Sequence, residues 1–248
     1  MEKVQWEVQK RRAAREQVKQ ARGPLDAKRR LYREFVRRGD LVFDIGANLG
    51  NRVEAFLALN ARVVALEPLP ECASHLRATF GARCLVVEKA VGRAPGSATA
   101  WTTKQGDLFT STLSEESADA LLESGRFEGS WGDARQVDVT TLDELVAEYG
   151  VPRFTKIDVE GFEPEVIGGL RTPVPALSIE YACELADHAH ACIDHLESLG
   201  SYEYAFSYGE TMLLGPWMAP DEILPWIASR AEHSLDWGDI YARRSGRG

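Results

Sequence analysis

No run in this sequence approaches the ~18 apolar residues of a membrane-spanning helix, and the charged N-terminus lacks the apolar core of a signal peptide. A soluble, cytoplasmic protein is the expectation. Cysteine is scarce as well: Cys72, Cys84, Cys183 and Cys192 form no C-x-x-C pair and fall in helical or strand patterns, where cysteine acts as a small buried hydrophobe. Disulfides and a thiolate zinc site are disfavoured. His188, His190 and His195 do not have the H-E-x-x-H spacing, which also disfavours a zinc enzyme. Positive charge is thin except at one end. Residues 1–38 hold 13 Lys/Arg against 5 Asp/Glu, leaving 16 against 33 for residues 39–248. That acidic body speaks against a broad nucleic-acid footprint.

What is present is enough apolar sequence, 44% of 248 residues, for one substantial core. The expected organisation is a basic helical extension over 1–38 and one domain over 39–248. Residues 2–22 read as a polar helix broken by Gly23-Pro24. A second helix from about Asp26 to Arg38 offers Leu31, Phe35 and Val36 to the body. The arm would bind an acidic partner or RNA, or simply lie as a solvated helix over the active site or against a second subunit. A homo-oligomer is left open.

Leu41–Ile45 is a short β-forming run, followed by Gly46, Gly50 and a helical pattern over Asn51–Leu59. Further strands are expected at Arg62–Pro68, stopping at an acid followed by proline, at Leu85–Val87 and Gln136–Val139, over Phe154–Gly161 including its exit loop, and at Ala176–Tyr181. Helices are expected over Pro70–Phe80, Thr141–Tyr149 with a Thr141/Glu144 capping box, Glu163–Leu170, Asp187–Leu199 and near Asp221–Arg230. Residues 97–135 are weakly patterned, with a strand-like Ala98–Thr103 and a Ser/Thr/Gly/acidic stretch, and suggest an active-site cover. Tyr202–Tyr208 and Thr211–Leu214 look like a closing hairpin, and Ile240–Ala242 like a last strand. Strands alternating with helices imply an α/β fold with a mostly parallel doubly wound sheet, whose ligand lies at the carboxyl ends of the strands. Asp44, Glu67, Asp158 and Glu180 all fall at such ends.

A dinucleotide loop needs a glycine where Asn48 stands, and Asp44 is unfavourable beside phosphate but favourable beside an amino or sulfonium group. Glu67 can accept from both hydroxyls of a ribose. The segments Asp44-Ile45-Gly46-Ala47-Asn48-Leu49-Gly50, Glu67-Pro68, Thr141-Leu142-Asp143 and Lys156-Ile157-Asp158-Val159-Glu160-Gly161-Phe162-Glu163 together resemble the FkbM family of S-adenosylmethionine-dependent methyltransferases. The resemblance covers roughly residues 40–215. It implies a Rossmann-like class I methyltransferase fold, with a seven-stranded sheet and helices on both faces. The implied reaction is methylation of a hydroxyl on a small molecule such as a sugar or natural product.

By position, the resemblance assigns Asp44, Gly46, Asn48 and Gly50 to the methionine part of the cofactor. Glu67 with Pro68 would take the ribose, and Ala90, with Glu88 less directly, the adenine. Asp158 would stand beside methyl donor and acceptor. Blander readings are weighed alongside: Glu88 as a surface acid, Glu160 and Glu163 as first-turn acids, and Lys156 as the partner of a neighbouring acid. Asp158 is the first candidate base, ahead of Glu180 and His188. A divalent cation on Asp158 and Glu180 is compatible but not implied. Rival readings are an RNA methyltransferase anchored by the arm, although Lys156–Glu163 contains no Asn/Asp-Pro-Pro-aromatic block, a non-catalytic cofactor-binding scaffold, and a dehydrogenase.

Overall fold

A computed structural model describes residues 25–103, 111–115, 117–119, 131–230 and 237–246. The helix expected over 2–22 and much of the expected cover lie outside these residues. In chain order the main elements are α1 (Leu25–Tyr32), β1 (Leu41–Ile45), α2 (Asn51–Ala58), β2 (Arg62–Leu66), α3 (Pro70–Phe80), β3 (Cys84–Val87), β4 (Ala90–Val91) and β5 (Gly96–Thr103). There follow β6 (Ser111–Thr112), β7 (Trp131–Thr140), α4 (Leu142–Tyr149), β8 (Phe154–Ile157), α5 (Glu163–Gly168), β9 (Ala176–Ala182), α6 (Ala186–Leu199), β10 (Tyr202–Tyr208), α7 (Pro220–Arg230) and β11 (Trp237–Arg244). Among the described residues, no helix is long and apolar enough to cross a membrane.

Seven strands form the main sheet in the order β10-β11-β9-β8-β1-β2-β3. Neighbouring pairs from β9 to β3 are parallel, and β11 runs antiparallel between β9 and β10. The order reverses at β1, so β1 and β8 flank the crevice that a doubly wound sheet offers to a ligand. The expected hairpin of Tyr202–Tyr208 with Thr211–Leu214 does not form. β11 takes one edge of β10; along the other edge the returning chain pairs only further on, through Gly215 N–H to the Phe206 carbonyl and an antiparallel bridge between Tyr204 and Met218, while Met212 adopts a left-handed φ of 55° and is buried. A β-branched or long side chain at positive φ breaks the strand geometry that the alternation suggested.

The two faces of this sheet are filled differently. Phe43, Ile45, Val64, Leu66, Ile157, Leu177, Ile179 and Ile240 make one face, packed against apolar residues of α4, α5, α6 and α7. Val42, Val63, Ala65, Phe154, Ala176 and Tyr241 start the other, packed against Tyr32, Phe35, Val53 and Phe56. Two residues further along, with the same side-chain direction, stand Asp44, Lys156, Ser178 and Asp239. The second face therefore changes from apolar to charged as it approaches the carboxyl ends of the parallel strands.

A smaller sheet, β4-β7-β5-β6, rises beside the crevice. β7 pairs parallel with β4 and antiparallel with β5, so the described ends of the stretch expected to be a cover belong to a ladder. Its following helix α4 opens with the capping box foreseen from Thr141 and Glu144. Ser117 Oγ donates to the Gly161 carbonyl at 3.0 Å and ties the segment after β6 to the exit of β8.

Candidate active site

The turn after β1 is built by backbone. Gly46 has φ 77°, and a Cβ there would stand 1.9 Å from the Asp158 carbonyl oxygen, so the two strand exits touch at a point where only glycine fits. Gly46 and Ala47 N–H both donate to the Leu66 carbonyl at 3.0 and 2.9 Å. Asn48, also at positive φ (51°), turns its N–H to Glu67 Oε2 at 2.8 Å. Leu69 N–H donates to the other oxygen, Oε1, at 2.9 Å. Glu67 is thus fixed by two amides while its remaining lone pairs face a cleft of about 670 Å³, open to solvent, whose wall includes Gly46, Asn48, Glu67, Pro68, Ala90 and Asp158. Burial pushes its carboxyl up to about 7 despite those two amides.

Asp44 is buried and is not part of the cleft wall. Its burial raises the carboxyl to about 7, against the pull of Lys156, Arg52 and the Val53 N–H at the entrance of α2. Its Oδ2 has no hydrogen-bond partner among the described residues, although a buried carboxylate oxygen normally has one. Arg52, next along α2, makes a two-pronged ion pair with Glu210 at 2.6 and 2.9 Å. Lys28 of α1 hydrogen-bonds Asn51, and burial with the neighbouring Arg52 lowers its ammonium to about 8.

Across the crevice, side chains take over from backbone. Lys156 is fully buried, and its Nζ reaches Asp239 Oδ1 at 2.9 Å and Asp158 Oδ2 at 3.1 Å. Burial alone would deprotonate the amine, but the two carboxylates hold it well above its ordinary range. Lys156 is accordingly a fixed cation and no base. Asp158 experiences the opposite balance. Burial opposes its charge, yet Lys156, Arg52 and a hydrogen bond from Glu180 keep its carboxyl below the usual range. Glu180 is pushed well above that range by burial and by Asp158, Glu160 and Glu163. Carboxylate oxygens of Asp158, Glu160 and Glu180 lie within 4.8 Å of one another, a donor set that could hold a divalent cation. Glu163 is buried and accepts from Val159 N–H at 3.0 Å, which ties the β8 exit to the first turn of α5.

The expected site residues therefore distribute unevenly. Gly46, Asn48, Glu67, Pro68, Ala90 and Asp158 line the cleft, together with Glu160, at φ 54°. Glu180 meets Asp158 and Glu160 at its edge. Gly50 lies outside the lining, where it serves packing: a Cβ would meet Phe80 at 2.2 Å and Leu76 at 2.8 Å. Glu88 pairs with Arg77 at 2.7 Å on the surface, outside the lining. His188 lies on α6, also outside the lining, with a buried Nδ1 that has no partner among the described residues. Sequence reasoning missed Asp239, Arg52 and Glu210. The available signal for Asp239 was an acid inside the otherwise apolar strand Ile240-Tyr241-Ala242, since a buried charge in such a setting needs a partner.

The chain matches the family profile described as the methyltransferase FkbM domain over residues 44–203, more than half its length. No curated protein sequence matches it. Among solved structures it is similar to a precorrin-6y C5,15-methyltransferase from Geobacter metallireducens, with 15% identity, a TM-score of 0.46, and 89% of this chain and 87% of that one covered. A TehB-like SAM-dependent methyltransferase from Corynebacterium glutamicum is similar at 9% identity and a TM-score of 0.46, with 88% of each chain covered. With the crevice at the β1 turn and a profile match that runs from Asp44 through β8 and β9 into β10, the chain belongs to the FkbM family of S-adenosylmethionine-dependent methyltransferases.

Proposed function

We propose that the protein methylates a hydroxyl group of a small molecule, with Asp158 as the group that receives the hydroxyl proton. The observation that carries this reading is the placement of an ionised, half-exposed Asp158 in the cleft wall, directly against the glycine turn. The cofactor fits the opposite half. A buried carboxylate oxygen on Asp44 lacks a partner that an ammonium group would supply. Glu67 is held by two amides with lone pairs to spare for a ribose diol. Gly46 and Asn48 frame the methionine part, Pro68 accompanies Glu67, and Ala90 borders the adenine.

S-adenosylmethionine supplies a methyl group made electrophilic by the attached sulfonium. The chain's part is alignment and proton removal. An alcohol that begins to bond to carbon becomes strongly acidic, so a carboxylate of low pKa suffices as acceptor. Asp158 has that character because the Lys156 charge and a hydrogen bond with Glu180 both support its charge. Glu180 acts by holding Asp158, and His188 is left without a part in this scheme. The converging carboxylates of Asp158, Glu160 and Glu180 could in addition hold a divalent cation beside the acceptor oxygen. Unchanged turnover after exhaustive chelation would remove that element and leave the rest standing.

The test is methyl transfer from radiolabelled S-adenosylmethionine to a panel of sugars and hydroxylated natural products, with total RNA as a contrasting acceptor. Asp158→Asn should cut turnover on whichever hydroxyl compound is methylated by about 10²- to 10⁴-fold. Cofactor affinity should stay within a few fold. Label transferred to RNA and to no small molecule would overturn the acceptor assignment.

A further inference from the structure

Lys156 is shared between two acids of different standing. Asp158 opens into the cleft with its side chain 33% exposed, whereas Asp239 is 6% exposed, pairs with Lys156, accepts from the Tyr241 hydroxyl at 3.4 Å, and has Arg52 and Tyr32 within electrostatic reach. Asp239 comes from β11, outside the residues that match the family profile. It is in register with Glu180 across the β9–β11 pairing, and its carboxylate approaches Lys156 slightly more closely than Asp158 does. A single lysine cannot cancel both charges. The group of three carries one net negative charge, and the exposed member is the one that presents it to the cleft. The neighbouring cation, Arg52, is already matched by Glu210 and does not change this count.

We propose that Asp239 is a specificity-determining residue that draws the charge of Lys156 away from Asp158, leaving the cleft floor net negative and selective for the cationic methyl donor over its neutral thioether product. The inference rests on the reading that the cleft binds S-adenosylmethionine, and it supplies a reason for the product to leave: the charge that Asp158 attracts disappears once the sulfonium has become a thioether. Without Asp239, Lys156 would belong wholly to Asp158 and that pair would be neutral. Asp239 touches neither reacting atom and acts only through Lys156.

Calorimetric titration of the full chain with S-adenosylmethionine and with S-adenosylhomocysteine tests this without any acceptor. Wild type should prefer the cationic compound. Asp239→Asn should reduce that preference on the order of tenfold, chiefly by weakening S-adenosylmethionine, because one buried unit charge has been removed near the site. Asp239→Glu should restore much of it. The double variant Lys156→Met with Asp239→Leu removes one charge of each sign and should keep the preference, since Asp158 is then alone. It also guards against a fold too strained by the single change. An unchanged ratio in Asp239→Asn, or an equal loss in the double variant, overturns the proposal while the cofactor reading survives. A wild type that binds neither compound overturns the cofactor reading and this inference with it.

Discussion

The two banks of the crevice are made from different materials. On the β1–β2 bank the functional geometry comes from backbone: glycine at 46, left-handed Asn48, and two amides that clamp Glu67. All of it lies within residues 44–69. On the β8–β9–β11 bank it comes from buried charges, with Lys156 bound to an acid 83 positions away. A backbone-built bank tolerates few conformations and holds a constant ligand. A charge-built bank is adjustable by single substitutions, which suits the side where the acceptor and the proton must be handled.

The largest effect that would break this contrast is expected at its contact point. Gly46→Ala would place a methyl group 1.9 Å from the Asp158 carbonyl oxygen at φ 77°. Neither backbone can yield without opening the β1–β8 ladder, so a loss of about 3–5 kcal/mol is expected together with loss of cofactor binding. Denaturant unfolding and calorimetry check both. A stable Gly46→Ala protein with ordinary affinity would mean that the turn is softer than its contacts imply.

Glu67→Gln comes next. Its carboxylate accepts from Asn48 and Leu69 amides, and an amide side chain would turn an NH₂ toward one of them. A loss of about 2 kcal/mol in cofactor affinity, roughly 30-fold, is expected with the fold intact. Removal of the negative charge also relieves a buried carboxyl held at about 7, so the free protein should gain stability at alkaline pH relative to wild type. The sign follows from linkage: a carboxyl whose folded pKa is raised contributes stability that is present below its ordinary pKa and lost as pH climbs to about 7.

The same reasoning gives a pH dependence for binding. Asp44 stands at about 7 in the free protein because burial outweighs the help from Lys156 and Arg52. An ammonium partner selects the ionised form. Affinity for S-adenosylmethionine should therefore rise as pH climbs from 5.5 toward 7.5, by up to about tenfold per pH unit below 7, and level off above it. Asp44→Asn should bind weakly with that slope removed. A flat wild-type profile would show that Asp44 serves the entrance of α2 alone.

Much of the backbone bank was legible in the sequence because its causes are local. A buried β run, two glycines and an acid at the next strand end specify a turn with few alternatives, and the Thr141/Glu144 capping box is a rule of four adjacent residues. The charge-built bank was legible only at Asp158 and Glu180, which end their strands. Asp239 and Glu210 sit on elements whose neighbours are decided by the order of the sheet. The absent strand at Thr211–Leu214 shows the same limit, since alternation marks a strand but not the left-handed turn at Met212, after which the chain regains the free edge of β10 only at Gly215 and Met218. Leu213, left 68% exposed, shows how little that stretch gained from its apolar pattern.

The smallest expected effect marks where the backbone bank ends. Glu88 follows β3 and sits one residue before cleft-lining Lys89, which makes it a natural candidate for the adenine side. Its carboxylate instead meets Arg77 of α3 at 2.7 Å, with the two side chains 38% and 47% exposed. An ion pair so open to water contributes at most about 1 kcal/mol to stability, and nothing directs Glu88 into the cleft. Glu88→Gln should leave cofactor affinity within twofold and lower the unfolding midpoint by a few degrees at most. A tenfold loss of affinity would mean that Glu88 leaves Arg77 when the adenine arrives, and the bank would then extend, by a side chain, beyond the segment that backbone alone defines.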